Sequence, residues 1–362
     1  QFDLAWSNSW RSAWNDVGGA VTNWDAAWVF IKFRRGAEGP WSHAALASSN
    51  HTTGGGTAGT VDLGQTGTTN VGAFLYRAAN GYGPATFTGV RLCWNYASNG
   101  LSGTNDVDVS VQAIEMVLVP QASFYAGGIG SEVDRFNNAA TGSLPFLIQS
   151  DAALCVGAAA PTNIDYSNTG YGGDRFSPIP AAFPKGYGAV YAMKYEISQG
   201  QYTDFLNKLT GPQASARFPN QEGNARHTIG FGGGGYTCTA PDRGCNFLAW
   251  ADGAAYADWA GLRPMTELEF EKIARGPMYP VVDEFAWGSA WVMVQTNHLG
   301  VDGSGSETAL PGNANCNYGF DVCRVGIFAT TNSTRVSAGA GYYGVMDLTG
   351  NLYEQAVNVG KP

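Results

Sequence analysis

Hydrophobic and polar residues alternate along four short segments in the first third of the chain. These segments are 27–33, 72–77, 90–96 and 107–113, and stretches rich in Gly, Thr and Asn separate them. A period of two places alternate side chains on opposite faces of a β-strand. The pattern therefore predicts an all-β, sandwich-like domain over residues 1–113.

Helical periodicity is confined to the second part of the chain, at 199–209, 251–260 and 266–274. Thr266 and Glu269 have the spacing of a capping box, and Pro264 marks the turn before it. We expect Glu267, Glu269 and Glu271 to form a solvated edge of this helix rather than a pair of glycosidase carboxylates. The remaining residues of a second domain, 114–362, are predicted to form short strands and long loops. The fold class predicted for the whole chain is therefore a loop-rich α+β fold.

Composition narrows the classes of function. Of the 362 residues, 50 are Gly and 16 are Pro, and this content favours turns over long helices. Only 14% of the residues are charged. The formal net charge of −9 argues against nucleic-acid binding, which needs a clustered basic face. The sequence contains no run of about 18 apolar residues, so no transmembrane helix is predicted.

The cysteines predict an oxidising compartment. Cys238 and Cys245, and likewise Cys316 and Cys323, flank short turn-forming loops, a spacing that favours two local disulfides over a metal site. Cys93 and Cys155 could pair with each other, pair with another chain or remain buried thiols. The start at Gln1 is expected of a mature N-terminus after removal of a signal peptide, although an expression boundary would look the same. We therefore predict a secreted or cell-surface protein.

Five ordered motifs resemble the formylglycine-generating enzyme (sulfatase-modifying factor) family. The motif Gly-Val-Met-Asp-Leu-Thr-Gly-Asn-Leu-Tyr-Glu at 344–354 is similar to the family pattern G-L-x-D-M-x-G-N-V-W-E, and residues 250–276 resemble W-x-x-A-x-x-Y-x-x-W-A-G-x-R-L-P-T-E-A-E-W-E-x-A-A-R-G. Segments 114–128, 193–206 and 285–288 match three further family motifs. Arg263-Pro-Met-Thr-Glu267 in place of R-L-P-T-E, and Phe270 and Gln355 in place of tryptophans, are departures. The resemblance implies a variant of the C-type lectin fold.

The resemblance also implies calcium sites. The family motif places calcium ligands at the Asp347 and Glu354 side chains and at the Gly350 and Leu352 carbonyls, a mixed oxygen set that suits Ca²⁺. Alternatively, the two carboxylates cap backbone amides. A second family site would use Asn315, the Cys316 carbonyl, Asp321 and the Cys323 carbonyl, although the loop between them is shorter here.

No catalytic residue is predicted. The family's oxidases bind copper through two cysteines well downstream of the G-N-V-W-E motif, where soft thiolates suit Cu(I). No cysteine follows Cys323 in this sequence. Iron-dependent members use histidines, but His43, His51, His227 and His298 show no ligand spacing. A copper-dependent oxidase remains the alternative if catalytic cysteines lie beyond Pro362.

The leading prediction is a non-catalytic structural or binding protein. The motif lies eight residues from Pro362, and the family fold is expected to return a further strand to its sheet, so an unpaired edge could support self-assembly. The expected partners are copies of this chain, other surface proteins or glycans. A third interpretation is calcium-dependent carbohydrate binding, in which the rings of N-terminal tryptophans stack on sugars. The alternative role for these tryptophans is packing. They are Trp6, Trp10, Trp14, Trp24, Trp28 and Trp41.

Overall fold

A computed structural model describes residues 1–16, 19–132, 134–157, 162–166, 178–310, 312–314 and 322–359. Its helices are α1 (Gln199–Leu206), α2 (Gly211–Arg217), α3 (Trp250–Ala260), α4 (Glu267–Arg275) and α5 (Arg335–Ala338). Its strands are β1 (Phe2–Asp16), β2 (Gly19–Arg35), β3 (Ser42–His43), β4 (Gly55–Gly56), β5 (Gly59–Thr66), β6 (Thr69–Arg77), β7 (Gly81–Val90), β8 (Val107–Val119), β9 (Phe124–Ala126), β10 (Phe136–Asn138), β11 (Phe146–Ile148), β12 (Ile164–Tyr166), β13 (Val190–Met193), β14 (Gly230–Gly232), β15 (Gly235–Thr237), β16 (Asn297–Leu299) and β17 (Thr308–Leu310).

The N-terminal region is a β-sheet structure built around β2. Strand β2 pairs with β8 along one edge, and with β1, β6 and β3 in turn along the other. Strand β1 pairs with β2 through its second half and with β7 through its first half. Buried side chains of β1, β2, β6 and β7 share one hydrophobic cluster that includes Trp6, Val29, Leu75 and Phe87. The predicted loop-rich α+β fold with an N-terminal all-β region is confirmed.

Strand β2 is buried on both faces. Val29 and Ile31 point into the N-terminal cluster, whereas Trp28 and Phe30 pack against side chains of α1 and α3. This explains the nearly unbroken hydrophobic run at 26–31, because a strand covered on both sides does not need polar residues at alternate positions. The helices of the second part of the chain therefore rest directly on the N-terminal sheet.

Strand β8 links the two parts of the chain without a break. It runs from Val107 to Val119 and so crosses the predicted boundary between residues 113 and 114. Eleven of its residues pair with β2, and its last four residues pair with β13. The two regions thus share a continuous sheet.

A buried ionic network fastens the regions together beside this sheet. The Lys194 Nζ atom donates to Asp25 Oδ2 at 3.0 Å and to Glu115 Oε2 at 2.9 Å. Asp25 also accepts hydrogen bonds from the Trp6 indole and the Ser9 hydroxyl, each at 2.8 Å. These additional hydrogen bonds help to offset the cost of taking the charged groups out of water.

Most of the six N-terminal tryptophans contribute to packing. Trp6 and Trp28 are buried, and Trp10 and Trp14 pack against a cluster formed by the second part of the chain. The Trp28 indole donates to the Ala260 carbonyl at 2.8 Å, across the two regions. Trp24 stacks on Tyr76, and Trp41 is half-buried between Arg34 and Lys208. This arrangement favours the packing interpretation over a carbohydrate surface.

The three predicted helices are present with small changes at their ends. Helix α1 ends at Leu206 rather than at 209, whereas α3 and α4 each lie within one residue of the predicted bounds. The capping box of α4 is confirmed: the Thr266 hydroxyl accepts from the Glu269 amide at 3.1 Å, and the Glu269 carboxylate accepts from the Thr266 amide at 2.9 Å. Glu269 is 2% exposed and forms a two-bonded ion pair with Arg263, so the expectation of a solvated position was wrong for this residue.

Candidate functional site

The motif at 344–354 forms a tight loop with several left-handed residues. Asp347 and Asn351 have φ values of 59° and 66°, and Gly350 lies between them at 85°. Asp and Asn tolerate this conformation better than most residues because their short side chains hydrogen-bond to nearby backbone. The sequence Asp-Leu-Thr-Gly-Asn therefore suits a loop that folds back on itself.

Two side chains hold this loop against the rest of the domain. The Asp347 carboxylate accepts from the Gly326 amide at 2.6 Å. The Asn351 carbonyl oxygen accepts from the Cys323 amide at 2.8 Å. Both bonds are buried, so the loop is fixed to the segment that follows Cys323.

Glu196 is a third carboxylate at the motif. It precedes α1 in sequence, yet its side chain accepts from the Leu352 amide at 2.9 Å and from the Asn351 side-chain amide. Our sequence analysis did not assign this residue a role. The only available signal was its position in the 193–206 segment that matches the family.

Burial is the main cause of the raised pKa values of the carboxyl groups at this loop. Burial, together with the nearby Asp347 and Glu354 charges, raises the pKa of Glu196 well above its usual range. Burial also raises the pKa of Asp347, against the opposing effects of the Gly326 amide and Arg324. The pKa of Glu354 is raised to about 8, chiefly by burial and further by Asp347. All three carboxyl groups are therefore harder to ionise here than in water.

Two of these carboxylates, Asp347 and Glu354, are predicted calcium ligands. Asp347 and Glu354 interact electrostatically, and a divalent cation would neutralise both of them. The Gly350 carbonyl accepts from the Leu352 amide at 3.0 Å, which leaves it one further lone pair. Within the described residues, no group of three or more His, Cys, Asp or Glu side chains is arranged to hold a metal. The two side chains and two carbonyls named from the motif, and the calcium ion itself, stay a prediction.

The second predicted calcium site lies mostly outside the described residues. Asn315, Cys316 and Asp321 belong to that excluded segment, and with them the predicted disulfide between Cys316 and Cys323. Cys323 itself is fully buried. Its Sγ atom lies 3.0 Å from His298 Nε2 and 3.0 Å from Gln295 Nε2.

The contact between Cys323 and His298 was missed because the two residues are 25 positions apart. It does not by itself make a reactive thiol. Burial raises the pKa of Cys323 to about 12. Burial and the charge of Arg226 lower the pKa of His298. Both shifts favour the neutral thiol and the neutral imidazole over a thiolate–imidazolium pair.

The predicted disulfide between Cys238 and Cys245 is absent from this structure, where both residues are thiols, as are Cys93 and Cys155. Cys238 and Cys245 nevertheless belong to one hydrophobic cluster. Burial raises the pKa of the Cys245 thiol, and Cys238 adds to the shift. Their proximity keeps a bond between them as a prediction under oxidising conditions. Cys93 is half-buried and Cys155 exposed, so of the three alternatives the one in which both remain buried thiols does not match this structure.

A long cleft with exposed aromatic side chains runs beside the motif loop. Its volume is about 1930 Å³, and its lining includes Glu196, Glu354, Phe247, Trp250 and Tyr353. The three aromatic side chains are 43%, 44% and 97% exposed, respectively. The tryptophans considered from the sequence for sugar stacking lie elsewhere, in the N-terminal region, because exposure cannot be read from composition.

The segment that contains Phe247 is hydrogen-bonded to the motif loop. The Gln355 side chain donates to the Leu248 carbonyl at 3.2 Å, one residue from Phe247. Phe247 has a φ of 64°, which is strained for a bulky residue. Such strain persists where surrounding structure holds it and is often found at functional sites.

Comparison with known families covers this part of the chain. Residues 187–359 match the family model for the sulfatase-modifying factor enzyme 1-like domain. No significant match was found among curated proteins or among solved structures. The matched range contains Glu196, the aromatic cleft residues and the whole motif loop. Residues 187–359 are therefore identified as a sulfatase-modifying factor enzyme 1-like domain, and an N-terminal β-rich region precedes it.

Proposed function

We propose that this chain is a non-catalytic binding protein, secreted or displayed at a surface, that recognises carbohydrate in the cleft beside the motif loop. The observation that carries the proposal is the exposure of Phe247, Trp250 and Tyr353 along one cleft, next to the carboxylates of the loop. Flat aromatic rings stack on the apolar faces of sugars, and exposed large aromatic residues mark interaction sites. A rigid frame with variable loops suits such a role.

Calcium would have a structural role in this site. The Asp347 and Glu354 carboxylates and the Gly350 and Leu352 carbonyls would hold the ion and fix the loop that carries Tyr353. Burial raises the pKa of both carboxyl groups, and the Asp347 charge raises that of Glu354 further. A bound cation would offset both the burial of the carboxylates and the repulsion between them.

The calcium proposal predicts a pH-dependent change in stability. Without calcium, the raised pKa of Glu354 contributes stability that is present below its ordinary value of 4.5 and is lost as the pH rises through about 8. Calcium replaces the proton, so added calcium should stabilise more at pH 8 than at pH 5. At 100 times the dissociation constant the gain is about 2.7 kcal/mol. Thermal melting with calcium and with EDTA measures it.

The double variant Asp347→Asn with Glu354→Gln should lose the calcium response. Glu38→Gln removes an exposed carboxylate elsewhere and serves as the control. Equal melting temperatures of the wild-type protein in calcium and in EDTA at pH 8 would remove calcium from the proposal.

Carbohydrate binding is tested separately on a glycan array, followed by calorimetry on the best ligand. Trp250→Ala and Tyr353→Ala should each weaken binding at least tenfold, because stacking area is lost without disturbing the core. Phe231→Ala is the matched control, since Phe231 is 63% exposed and does not line the cleft. Binding that is unaffected by both cleft variants would contradict the proposed site.

The proposal of an extracellular location depends on the cysteines. Peptide mapping of the natively purified protein without reduction would detect a Cys238–Cys245 bond. Fully reduced cysteines would argue against secretion.

A further inference from the structure

Among the described residues, one edge of β8 lacks a strand partner over most of its length. Strand β2 covers one edge of β8 from residue 107 to 117. On the opposite edge, β13 pairs only with residues 116–119, and the Lys194 amide adds one bond to the Glu115 carbonyl. The chain then turns away towards α1. In the described part of the chain, no other strand or backbone hydrogen bond reaches this edge between residues 107 and 114.

The unpaired segment also exposes apolar side chains. Val109 is 51% exposed and Val111 is 40% exposed. Their partners on β2 are Phe33 and Ile31, which are buried in the N-terminal hydrophobic cluster. The two valines therefore extend a core face that ends at this edge.

The edge lacks the usual protection against strand pairing. Residues 107–113 contain no Lys, Arg or Pro. The single charge of the segment, on Asp108, is paired with Arg34 at 2.8 Å. An extended edge whose one charge is already paired, and which exposes apolar side chains, is a template for an added strand.

We propose that a second copy of this chain occupies the edge, with the two β8 strands antiparallel around a two-fold axis. Centred on Ser110, this register places Val109 of each copy opposite Val111 of the other, and Asp108 opposite Gln112. No charge then faces a like charge, and the four valines form one apolar strip that joins the N-terminal cores of both copies. The sequence Val-Asp-Val-Ser-Val-Gln-Ala thus complements itself.

This pairing is independent of carbohydrate binding, since β8 does not contribute its unpaired segment to the aromatic cleft. A two-fold contact uses the same patch on both copies and closes on itself. The expected product is a dimer rather than an open polymer, because β8 ceases to be an edge once it is paired on both sides. Its continuous sheet would have eighteen strands, nine from each copy.

Sedimentation velocity of the full chain over a range of concentrations tests the proposal. The wild-type protein should sediment as a dimer at high concentration. Val109→Lys with Val111→Lys should raise the dissociation constant at least tenfold, because lysines then face each other across the axis. Val109→Lys with Val111→Glu should keep the dimer, because each lysine faces a glutamate. Tyr82→Lys, at a residue 78% exposed on β7, is the control and should behave as wild type.

Each result decides the matter. A wild-type protein that remains monomeric, or a dimer that survives the lysine pair, overturns the proposal. Loss of the dimer in both double variants overturns the register centred on Ser110. Hydrogen exchange of the wild-type amides at 107–114 gives a measurement that needs no variant: protection should rise with protein concentration, and exchange independent of concentration would contradict pairing at this edge.

Discussion

At the scale of single residues, Lys194 joins the two regions through buried ion pairs. Its side chain is almost fully buried between Asp25 of β2 and Glu115 of β8. Burial alone would lower the pKa of Lys194, but the neighbouring Tyr195, Glu115 and Asp25 raise it above its ordinary value. The ammonium group is therefore charged at every physiological pH and holds the two regions together.

Replacing Lys194 with Met should destabilise the protein by about 3–5 kcal/mol, because the Asp25 carboxylate is left buried without its cation. Urea unfolding followed by tryptophan fluorescence measures the loss. The control is Arg34→Ala, which breaks a pair whose Asp108 partner is 52% exposed and should cost less than about 1 kcal/mol. Equal losses for the two variants would show that the buried network contributes no more than a surface pair.

At the scale of elements, α4 shows how local sequence and tertiary contacts combine. Its N-terminus has the reciprocal capping box of Thr266 and Glu269, and Glu269 also binds Arg263. The Thr266 hydroxyl additionally donates to the Pro184 carbonyl at 3.0 Å. The cap thus anchors the helix to a distant loop as well as starting it.

Thr266→Ala should therefore cost about 1–2 kcal/mol, the upper part of the range for an N-cap. Helix α2 offers a matched control. The Thr210 hydroxyl precedes that helix but accepts no backbone hydrogen bond, and it donates to the Gln213 side chain instead. Thr210→Ala should change the free energy of unfolding by only a few tenths of a kcal/mol, and a loss equal to that of Thr266→Ala would contradict this account.

At the scale of the whole molecule, β8 and the Lys194 network make the two regions depend on each other. Strand β8 pairs with β2 along eleven residues, and one face of β2 packs against α1 and α3. Little surface is left along which the two regions could separate. No helix among the described residues has the length and hydropathy needed to span a membrane.

We expect urea to unfold the chain in a single transition. Far-ultraviolet circular dichroism, which reports mainly on the sheet and helices, and tryptophan fluorescence should give the same midpoint. Two separate transitions would show that the predicted domains at 1–113 and 114–362 unfold independently despite their common strand.

Local sequence determined the features whose hydrogen bonds join residues close in the chain. The spacing of Thr266 and Glu269 predicted the start of α4, and the motif at 344–354 identified the family and its loop. Alternation at 90–96 was less informative. Leu92 and Trp94 do pack against the N-terminal cluster, but regular pairing ends at Val90 and the chain turns through residues 96–99. Alternation reports burial of alternate side chains, and burial does not require a strand partner.

Tertiary structure alone decided which distant residues meet. Glu196 reaches Leu352, and Lys194 reaches Asp25, over 156 and 169 positions of sequence. The exposure of Phe247, Trp250 and Tyr353 and the unpaired edge of β8 also depend on what the rest of the chain covers. The sequence alone determined the local elements and the family of the domain, because short-range hydrogen bonds and periodic burial are encoded within a few residues. The charge cluster, the cleft and the open edge arise only when the folded chain brings some groups together and leaves others uncovered.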